Sequence, residues 1–302
     1  MIRLYPIYLI AIGITIFFFP QPIKSVIGHL FFLQIAVVDF FKENVALWSL
    51  NYEMLYYLLA IPIIMFRIKA LHVISVILLI LIASGFKFHL PTLIESYLSG
   101  FIFWLSGYWL SGFKISEPDR HTNKLLAALL LLLSVDYING FNVLLSKLHI
   151  NNLNAFADLS VYPYCLFVLL IFSGCNKPKL SKILYGFVYL SSLGQLLFII
   201  YRSGLNASGI YLMPSIFICL SFLFWYIKMD IKLTLLSFIG GISYALYALH
   251  FPILYLIGTY KNNSGSLGSF VIRLALLLII VFSISWVLEK KLQPRIKILF
   301  KC

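Results

Sequence analysis

Charged side chains are scarce in this chain of 302 residues. Asp, Glu, Lys and Arg make up 11% of the sequence, against about 25% in a typical soluble domain. Apolar residues make up 62%, and the mean hydropathy is +1.00. Because a soluble core could not absorb so much apolar sequence, the composition excludes an ordinary soluble domain. Many apolar runs approach 20 residues, which is about the length that a helix needs to cross a bilayer.

Acidic residues and cysteines are also few. Ten acidic residues stand against 23 basic ones, giving a net charge of +13. The basic residues are spread over short connections and form no patch, so we expect no nucleic-acid partner. The four cysteines show neither metal-type nor disulfide-type spacing, so we expect no metal site. They are Cys165, Cys175, Cys219 and Cys302.

The apolar runs predict an all-α, polytopic membrane bundle of about ten spanning helices. The runs are continuous and do not alternate, which argues against a β-barrel. No linker or repeat divides residues 1–302, so we predict a single domain. The segment 30–38 is too short to cross, and we expect it to lie at the membrane interface or to re-enter the bilayer. The predicted spans are 4–19, 47–66, 71–86, 92–112, 124–141, 156–175, 183–201, 209–227, 235–258 and 268–288.

Lysine and arginine divide unequally between alternate connections. One set of connections holds sixteen of them and the other set six, while Arg273 lies within the last span. The positive-inside rule then places both termini in the cytoplasm. The first span ends in Phe-Pro-Gln-Pro without a small-residue cleavage site, so we predict a retained helix and not a signal peptide.

The stretch L-W-S-L-N-Y-E-M-L-Y-Y, residues 47–57, places a carboxylate in a predicted span. Ser49, Glu53 and Tyr57 are spaced at i, i+4 and i+8, so they share one helix face. A charge at the bilayer centre costs about 2.5–3.5 kcal/mol, so Glu53 is expected to face a cavity or a partner. Alternatively, Glu53 reaches headgroups and water, because it lies only about 9 Å past Leu47 along the helix.

A second polar stripe lies in the stretch F-I-G-G-I-S-Y-A-L-Y-A-L-H-F-P-I-L, residues 238–254. Ser243, Tyr247 and His250 are spaced at i, i+4 and i+7 and share a helix face. His250 could orient a substrate or relay protons. The alternative is a histidine that is hydrogen-bonded at the outer interface, just before Pro252 distorts the helix.

Both stretches resemble acyltransferase family 3, the integral-membrane O-acyltransferases that decorate bacterial surface sugars. Residues 48–57 match its signature W-S-L-x-x-E-x-x-x-Y, and residues 238–254 resemble its motif L-G-x-I-S-Y-S-L-Y-L-W-H-x-P. The start R-L-Y-P-I-Y resembles the second half of the family's arginine motif, with Arg3 as the matching arginine. The end S-W-V-L-E-K-K is close to the family's terminal E-K-P, with Lys291 in place of the proline. Glu289 and the basic cluster after it are predicted to anchor the last helix at the cytoplasmic face.

The resemblance implies an enzyme of the bacterial inner membrane. It would transfer an acyl group, acetyl by expectation, from cytoplasmic acyl-CoA to a sugar hydroxyl of a surface polysaccharide or its lipid-linked precursor. Its partners would be acyl-CoA, this carbohydrate acceptor and membrane lipids. Glu53 and His250 are the candidate catalytic residues. The candidate substrate-binding residues are Arg3, Trp48, Ser49, Tyr57, Ser243 and Tyr247. Arg3 would bind the CoA phosphates, or else it is a positive-inside anchor. Trp48 equally suits an aromatic belt at the membrane interface.

The largest departure from the family lies at the start of the chain. The family's base is a histidine on a helix upstream of this start, and none of the six histidines here has that context. We therefore expect either a reading frame that extends upstream of Met1 or an inactive remnant of an acyltransferase. Another alternative is a polytopic glycan transporter, flippase or polymerase, although the sequence shows no internal repeats of the transporter kind.

Overall fold

The computed structural model describes residues 4–86, 90–112, 122–139, 153–172, 178–203, 208–227, 234–258 and 266–299. The regular secondary structure of these residues is helical and includes no β-strand, so the all-α prediction is confirmed for them. A 3-10 helix, Lys42–Leu47, leads into α3, and a π-helical turn, Val287–Leu292, follows α12. The helices are α1 (Tyr5–Phe18), α2 (Ile23–Leu30), α3 (Trp48–Met65), α4 (Ala70–Phe86), α5 (Thr92–Ser111), α6 (Thr122–Ile138), α7 (Leu153–Phe172), α8 (Pro178–Ser203), α9 (Ser208–Tyr226), α10 (Thr234–Gly240), α11 (Ser243–Gly258), α12 (Leu267–Trp286) and α13 (Gln293–Leu299).

Nine of the ten predicted spans each correspond to one helix, with ends that agree within a few residues. The prediction of a single helix over 235–258 is wrong, because the helix breaks after Gly240 into α10 and α11. At the break, Lys290 Nζ lies 2.8 Å from the point that a Cβ on Gly241 would occupy, so a larger residue there would move the flexible end of this lysine side chain.

Three helices among the described residues are long and apolar enough to cross a membrane. They are Lys42–Met65, Lys182–Arg202 and Leu267–Leu299. Five shorter apolar helices accompany them: Tyr5–Phe18, Ala70–Gly85, Asp158–Phe172, Tyr211–Tyr226 and Ser243–Gly258. The chain is therefore suited to a membrane, while the count of about ten spans stays a prediction.

The chain divides into two compact units. The terminal unit comprises the described residues of Met1–Tyr57 and Leu233–Cys302, and the central unit those of Leu58–Lys232. The boundary falls within α3, after Tyr57. Each unit has an apolar core of its own.

In the terminal unit, α11 packs against α1, α12 and the 3-10 helix. Small residues on the packed faces, among them Ala11, Ala245 and Ala248, are fully buried. Small side chains let helices approach closely, which is a main source of helix association in lipid. Pro6 fits the first turn of α1, where its missing N–H costs no hydrogen bond. The hydroxyl of Ser266 caps α12 by accepting from the Ser269 N–H at 3.2 Å.

In the central unit, α6 packs against α7, α8 and α9, and α5 packs against α4 and α7. The core holds buried Leu131, Phe167 and Val188. Three polar pairs cross between α5 and its neighbours. Ser84 donates to Glu95 at 2.7 Å, Ser99 donates to Asp158 at 3.1 Å, and the hydroxyls of Ser106 and Tyr162 lie 2.6 Å apart. These bonds hold apolar helices in register.

Candidate functional site

The first predicted stretch forms the start of α3. The Tyr57 hydroxyl donates to Glu53 Oε1 at 2.6 Å, one turn away, as the spacing of the two residues predicts. Glu53 is half-buried and Tyr57 is exposed. A hydrogen bond to a carboxylate is stronger than a neutral one, so Tyr57 stabilises and orients this side chain.

The second stretch meets the first through a pair of hydroxyl groups. Ser49 Oγ on α3 lies 2.7 Å from the Tyr247 hydroxyl on α11. Ser49 also lies 3.4 Å from the Ala46 carbonyl oxygen, which can only accept a hydrogen bond. When Ser49 donates there, Tyr247 donates to Ser49. Residues far apart in the sequence therefore form one polar cluster in the terminal unit.

The ring of His250 is held in one tautomer by the backbone. Its Nδ1 lies 2.7 Å from the Tyr247 carbonyl oxygen. Because a carbonyl oxygen has no proton to give, Nδ1 must carry the hydrogen of the neutral ring. Nε2 then keeps its lone pair, which is the arrangement that a proton acceptor needs. The ring centroids of His250 and Tyr247 are 5.9 Å apart.

Two further polar residues border the cluster. The Tyr244 hydroxyl donates to the Leu4 carbonyl oxygen at 3.1 Å and lies within electrostatic range of Glu53 and Glu289. Glu289 is buried in the π-helical turn, and one of its carboxylate oxygens has no hydrogen-bond partner among the described residues. The cytoplasmic anchor therefore depends on the basic residues after it, of which Lys290 and Lys291 are exposed, and it stays a prediction. The wider π-helical turn changes the direction of its side chains, which the sequence does not signal.

Asn44 is the residue that the sequence did not reveal. Its side chain is fully buried and donates to Thr15 Oγ1 at 3.0 Å and to the Ala248 carbonyl oxygen at 3.2 Å. It therefore ties the 3-10 helix to both α1 and α11, immediately before α3 begins. A single asparagine in a short connection carries no periodic pattern, so its role depends wholly on the fold.

The structure brings some of the predicted residues together and separates others. Trp48 is 41% exposed and meets Tyr52 edge-on, with ring centroids 5.3 Å apart. Ser243 is exposed and donates to the Gly240 carbonyl oxygen at 3.0 Å, which closes the helix break. Arg3 lies outside the described residues. The polar cluster thus comprises two groups: Ser49, Tyr247 and His250, which contact one another, and Glu53 with Tyr57, which follow Ser49 along the same face of α3.

The polar cluster offers a carboxylate, an imidazole and three hydroxyl groups. Within the described ranges, no three His, Cys, Asp or Glu side chains gather in the way that a metal ion would require. The prediction that the protein needs no metal is not tested by this. The groups present suit hydrogen bonding to a polyhydroxylated ligand and the movement of a proton.

Comparison with known proteins found no match among protein-family models, curated proteins or solved structures. Membership of acyltransferase family 3 therefore remains a hypothesis that rests on the motifs.

Proposed function

We propose that the chain is a membrane O-acyltransferase. It transfers an acyl group, acetyl in the simplest case, from cytoplasmic acyl-CoA to a sugar hydroxyl of a surface polysaccharide or its lipid-linked precursor. The enzyme lies in the bacterial inner membrane with both termini in the cytoplasm. The observation that supports this proposal most is the contact of 2.7 Å between Ser49 and Tyr247. It joins two stretches that separately resemble the same family.

The reaction requires a base and an acyl donor. The acceptor hydroxyl oxygen attacks the thioester carbonyl carbon, a C–O bond forms and the C–S bond breaks. The proton of the hydroxyl passes to the base, and the CoA thiolate leaves and takes up a proton to become the free thiol. A base within hydrogen-bond reach of the acceptor contributes typically 10²–10⁴-fold to such a reaction.

His250 is the base that the described residues support best. Its Nδ1 hydrogen is committed to the Tyr247 carbonyl oxygen, which leaves the Nε2 lone pair for the acceptor proton. Glu53, held by Tyr57, accepts a hydrogen bond from a second sugar hydroxyl and orients the ring. The exposed face of Trp48 suits an apolar sugar face, and Arg3 would bind the CoA phosphates through paired hydrogen bonds.

The experiment measures glycan O-acetylation in cells that lack the endogenous gene. The gene encodes residues 1–302, so that any base must be one of the residues of this chain. We expect His250→Gln to lower acetylation at least about 100-fold, since it removes the base. His72→Gln changes an exposed histidine of α4 and serves as the matched control. Membrane levels of each variant are measured by immunoblot.

Two results would contradict the proposal. If His250→Gln acetylates as well as His72→Gln at equal membrane level, His250 is not the base. If the unchanged gene acetylates no glycan, the transporter and remnant alternatives replace the enzyme. Glu53→Gln separates positioning from proton transfer, because it keeps a hydrogen-bonding group and removes the charge.

A further inference from the structure

The connection between α1 and the 3-10 helix folds back along α1. The Tyr8 hydroxyl donates to the His29 carbonyl oxygen at 2.6 Å, and the Tyr5 hydroxyl donates to that of Leu30 at 3.3 Å. Tyr8 precedes Phe18, the last residue of α1, by ten positions, which is about 15 Å along a helix. The end of α2 therefore lies well back along α1, and residues 23–40 form a hairpin.

Backbone N–H and C=O groups in the turn after α2, residues 32–35, have hydrogen-bond partners within the protein. The Leu33 N–H donates to the Gly28 carbonyl oxygen at 2.8 Å, and the Ile35 N–H donates to that of Val38 at 2.8 Å. The Phe32 carbonyl oxygen accepts from the Asn51 side chain. In hydrocarbon, each unsatisfied group costs several kcal/mol, so non-helical backbone there must find protein partners.

The outer surface of the hairpin is apolar. Ile23, Ile27 and Phe31 follow at i, i+4 and i+8 along one face and are 77%, 49% and 69% exposed. Leu33 in the turn is exposed as well. The opposite face of α2 carries the buried residues Gly28 and His29. An apolar stripe of this kind on a connection indicates contact with lipid and not with water.

Charged residues stand at the mouth of the hairpin. Lys24, in the first turn of α2, and Asp39, shortly before the 3-10 helix, are both exposed. Together with Ser25 and the turn 35–38 they line a cavity of about 250 Å³. Val38 packs so closely against Gly28 that no side chain would fit there, which fixes α2 against the turn and shapes the cavity.

We infer that residues 23–40 are a re-entrant membrane element whose cavity binds the headgroup of phosphatidylethanolamine. The apolar stripe and Leu33 lie among acyl chains, and the cavity, lined by Lys24, Ser25 and residues 35–39, lies at headgroup depth. Lys24 pairs with the lipid phosphate, and Asp39 accepts hydrogen bonds from the lipid ammonium. Phosphatidylcholine offers the same charges but no N–H donor, and phosphatidylglycerol offers no cation. This lipid site would be present whether or not the chain is an acyltransferase.

The depth of the element is measured on the full chain in proteoliposomes. Its four cysteines are replaced by serine, and single cysteines at Ile27, Phe31 or Ala36 carry an environment-sensitive fluorophore. Labels at Ile27 and Phe31 are expected to be quenched by lipids that are spin-labelled on the acyl chain. The label at Ala36, in the cavity wall, is expected to be quenched by aqueous iodide. Iodide quenching at Phe31 as strong as at Ala36 would overturn the re-entrant placement.

The headgroup is tested by native mass spectrometry of the full chain from mixed micelles of the three phospholipids. We expect phosphatidylethanolamine to be retained about tenfold over phosphatidylglycerol, equivalent to one charged hydrogen-bonded pair. Asp39→Asn should remove the preference for phosphatidylethanolamine over phosphatidylcholine. Lys24→Gln should lower retention of all three lipids. Lys69→Gln, which changes an exposed lysine after α3, is the matched control and should behave as wild type.

Equal retention of the three lipids by the unchanged chain would overturn the headgroup assignment. The same conclusion follows if Lys69→Gln loses lipid as Lys24→Gln does, because the effect would then be general surface charge. If Asp39→Asn keeps the full preference for phosphatidylethanolamine, Asp39 is not the partner of the ammonium and the assigned binding mode fails.

Discussion

Ser49 and Tyr247 are separated by 198 positions in the sequence, and their hydroxyl oxygens lie 2.7 Å apart. We expect Ser49→Ala and Tyr247→Phe to weaken the terminal unit by similar amounts and not additively. Interhelical hydrogen bonds in membrane proteins contribute about 0.6 kcal/mol on average and up to about 1.7 kcal/mol. A double-mutant cycle of the free energy of unfolding in detergent should give a coupling energy in that range. Additive losses would mean that the contact does not contribute to stability.

Tyr57→Phe tests the support of Glu53. The substitution keeps the ring and removes the hydroxyl that donates to the carboxylate at 2.6 Å. We expect acyl transfer to fall about tenfold, because a hydrogen bond to a charged group contributes about 1.5 kcal/mol. The measurement is the O-acetyl content of purified glycan. Tyr201→Phe changes a tyrosine that is 90% exposed at the end of α8 and should leave the O-acetyl content unchanged.

Asn44→Ala tests the joint between the 3-10 helix, α1 and α11. It removes the two hydrogen bonds to Thr15 and Ala248, and we expect a loss of about 1–3 kcal/mol in the free energy of unfolding. Asn44→Asp should cost more, because it places a charge in a fully buried position. Thermal unfolding in detergent compares both with Lys42→Ala, an exposed neighbour in the same turn. Equal melting temperatures for all three variants would contradict this role.

Gly28→Ala tests the close packing of α2 against the following turn. The new Cβ would clash with the Val38 side chain, and overpacking of this kind costs about 1–3 kcal/mol. Val38→Ala should restore much of the stability when combined with Gly28→Ala, because it removes the atoms that clash. Differential scanning fluorimetry of the single and double variants measures this. A double variant less stable than Gly28→Ala would show that the two side chains do not share this space.

His29 should make the protein less stable in acid. Burial lowers the pKa of His29 below its usual 6.5, although the Ser25 carbonyl oxygen that accepts from the ring partly opposes this shift. The neutral ring stacks on Phe41 at 3.7 Å, and its Nε2 accepts the Phe41 N–H at 3.4 Å. At pH values between the pKa of His29 in the folded protein and its pKa in the unfolded chain, the unfolded chain binds more protons than the folded protein. The stabilisation is therefore present above about pH 6.5 and is lost as the pH falls through the folded pKa.

The measurement is the melting temperature between pH 7.5 and pH 5. His29→Phe keeps an aromatic ring against Phe41 and removes the titration, so its melting temperature should depend less on pH. His72 is exposed in the wild type, so His72→Gln should keep the wild-type dependence of melting temperature on pH. If the melting temperature of His29→Phe depends on pH as strongly as that of the wild type, other groups cause the acid sensitivity.

The helices were predictable because the length of an apolar run is a local property. The break at Gly241 was not predicted, because the apolar pattern continues across it. For the candidate site, the spacing of Glu53 and Tyr57 predicted their contact within one helix. The contact between Ser49 and Tyr247 and the burial of Glu289 are non-local and depend on helix packing. Asn44 had no signal, since a lone amide in a connection matches many roles.

The terminal unit is assembled from the two ends of the chain, Met1–Tyr57 and Leu233–Cys302. A ribosome adds about 5–20 residues each second, so translating Leu58–Lys232 separates the two ends by roughly 10–35 s. Throughout this interval, Asn44 and Thr15 have been synthesised but the Ala248 carbonyl oxygen has not. Until α11 is made, the Asn44 amide therefore has Thr15 as an acceptor but lacks the second acceptor that completes its place in the fold. Truncation before α11 would leave that segment permanently incomplete.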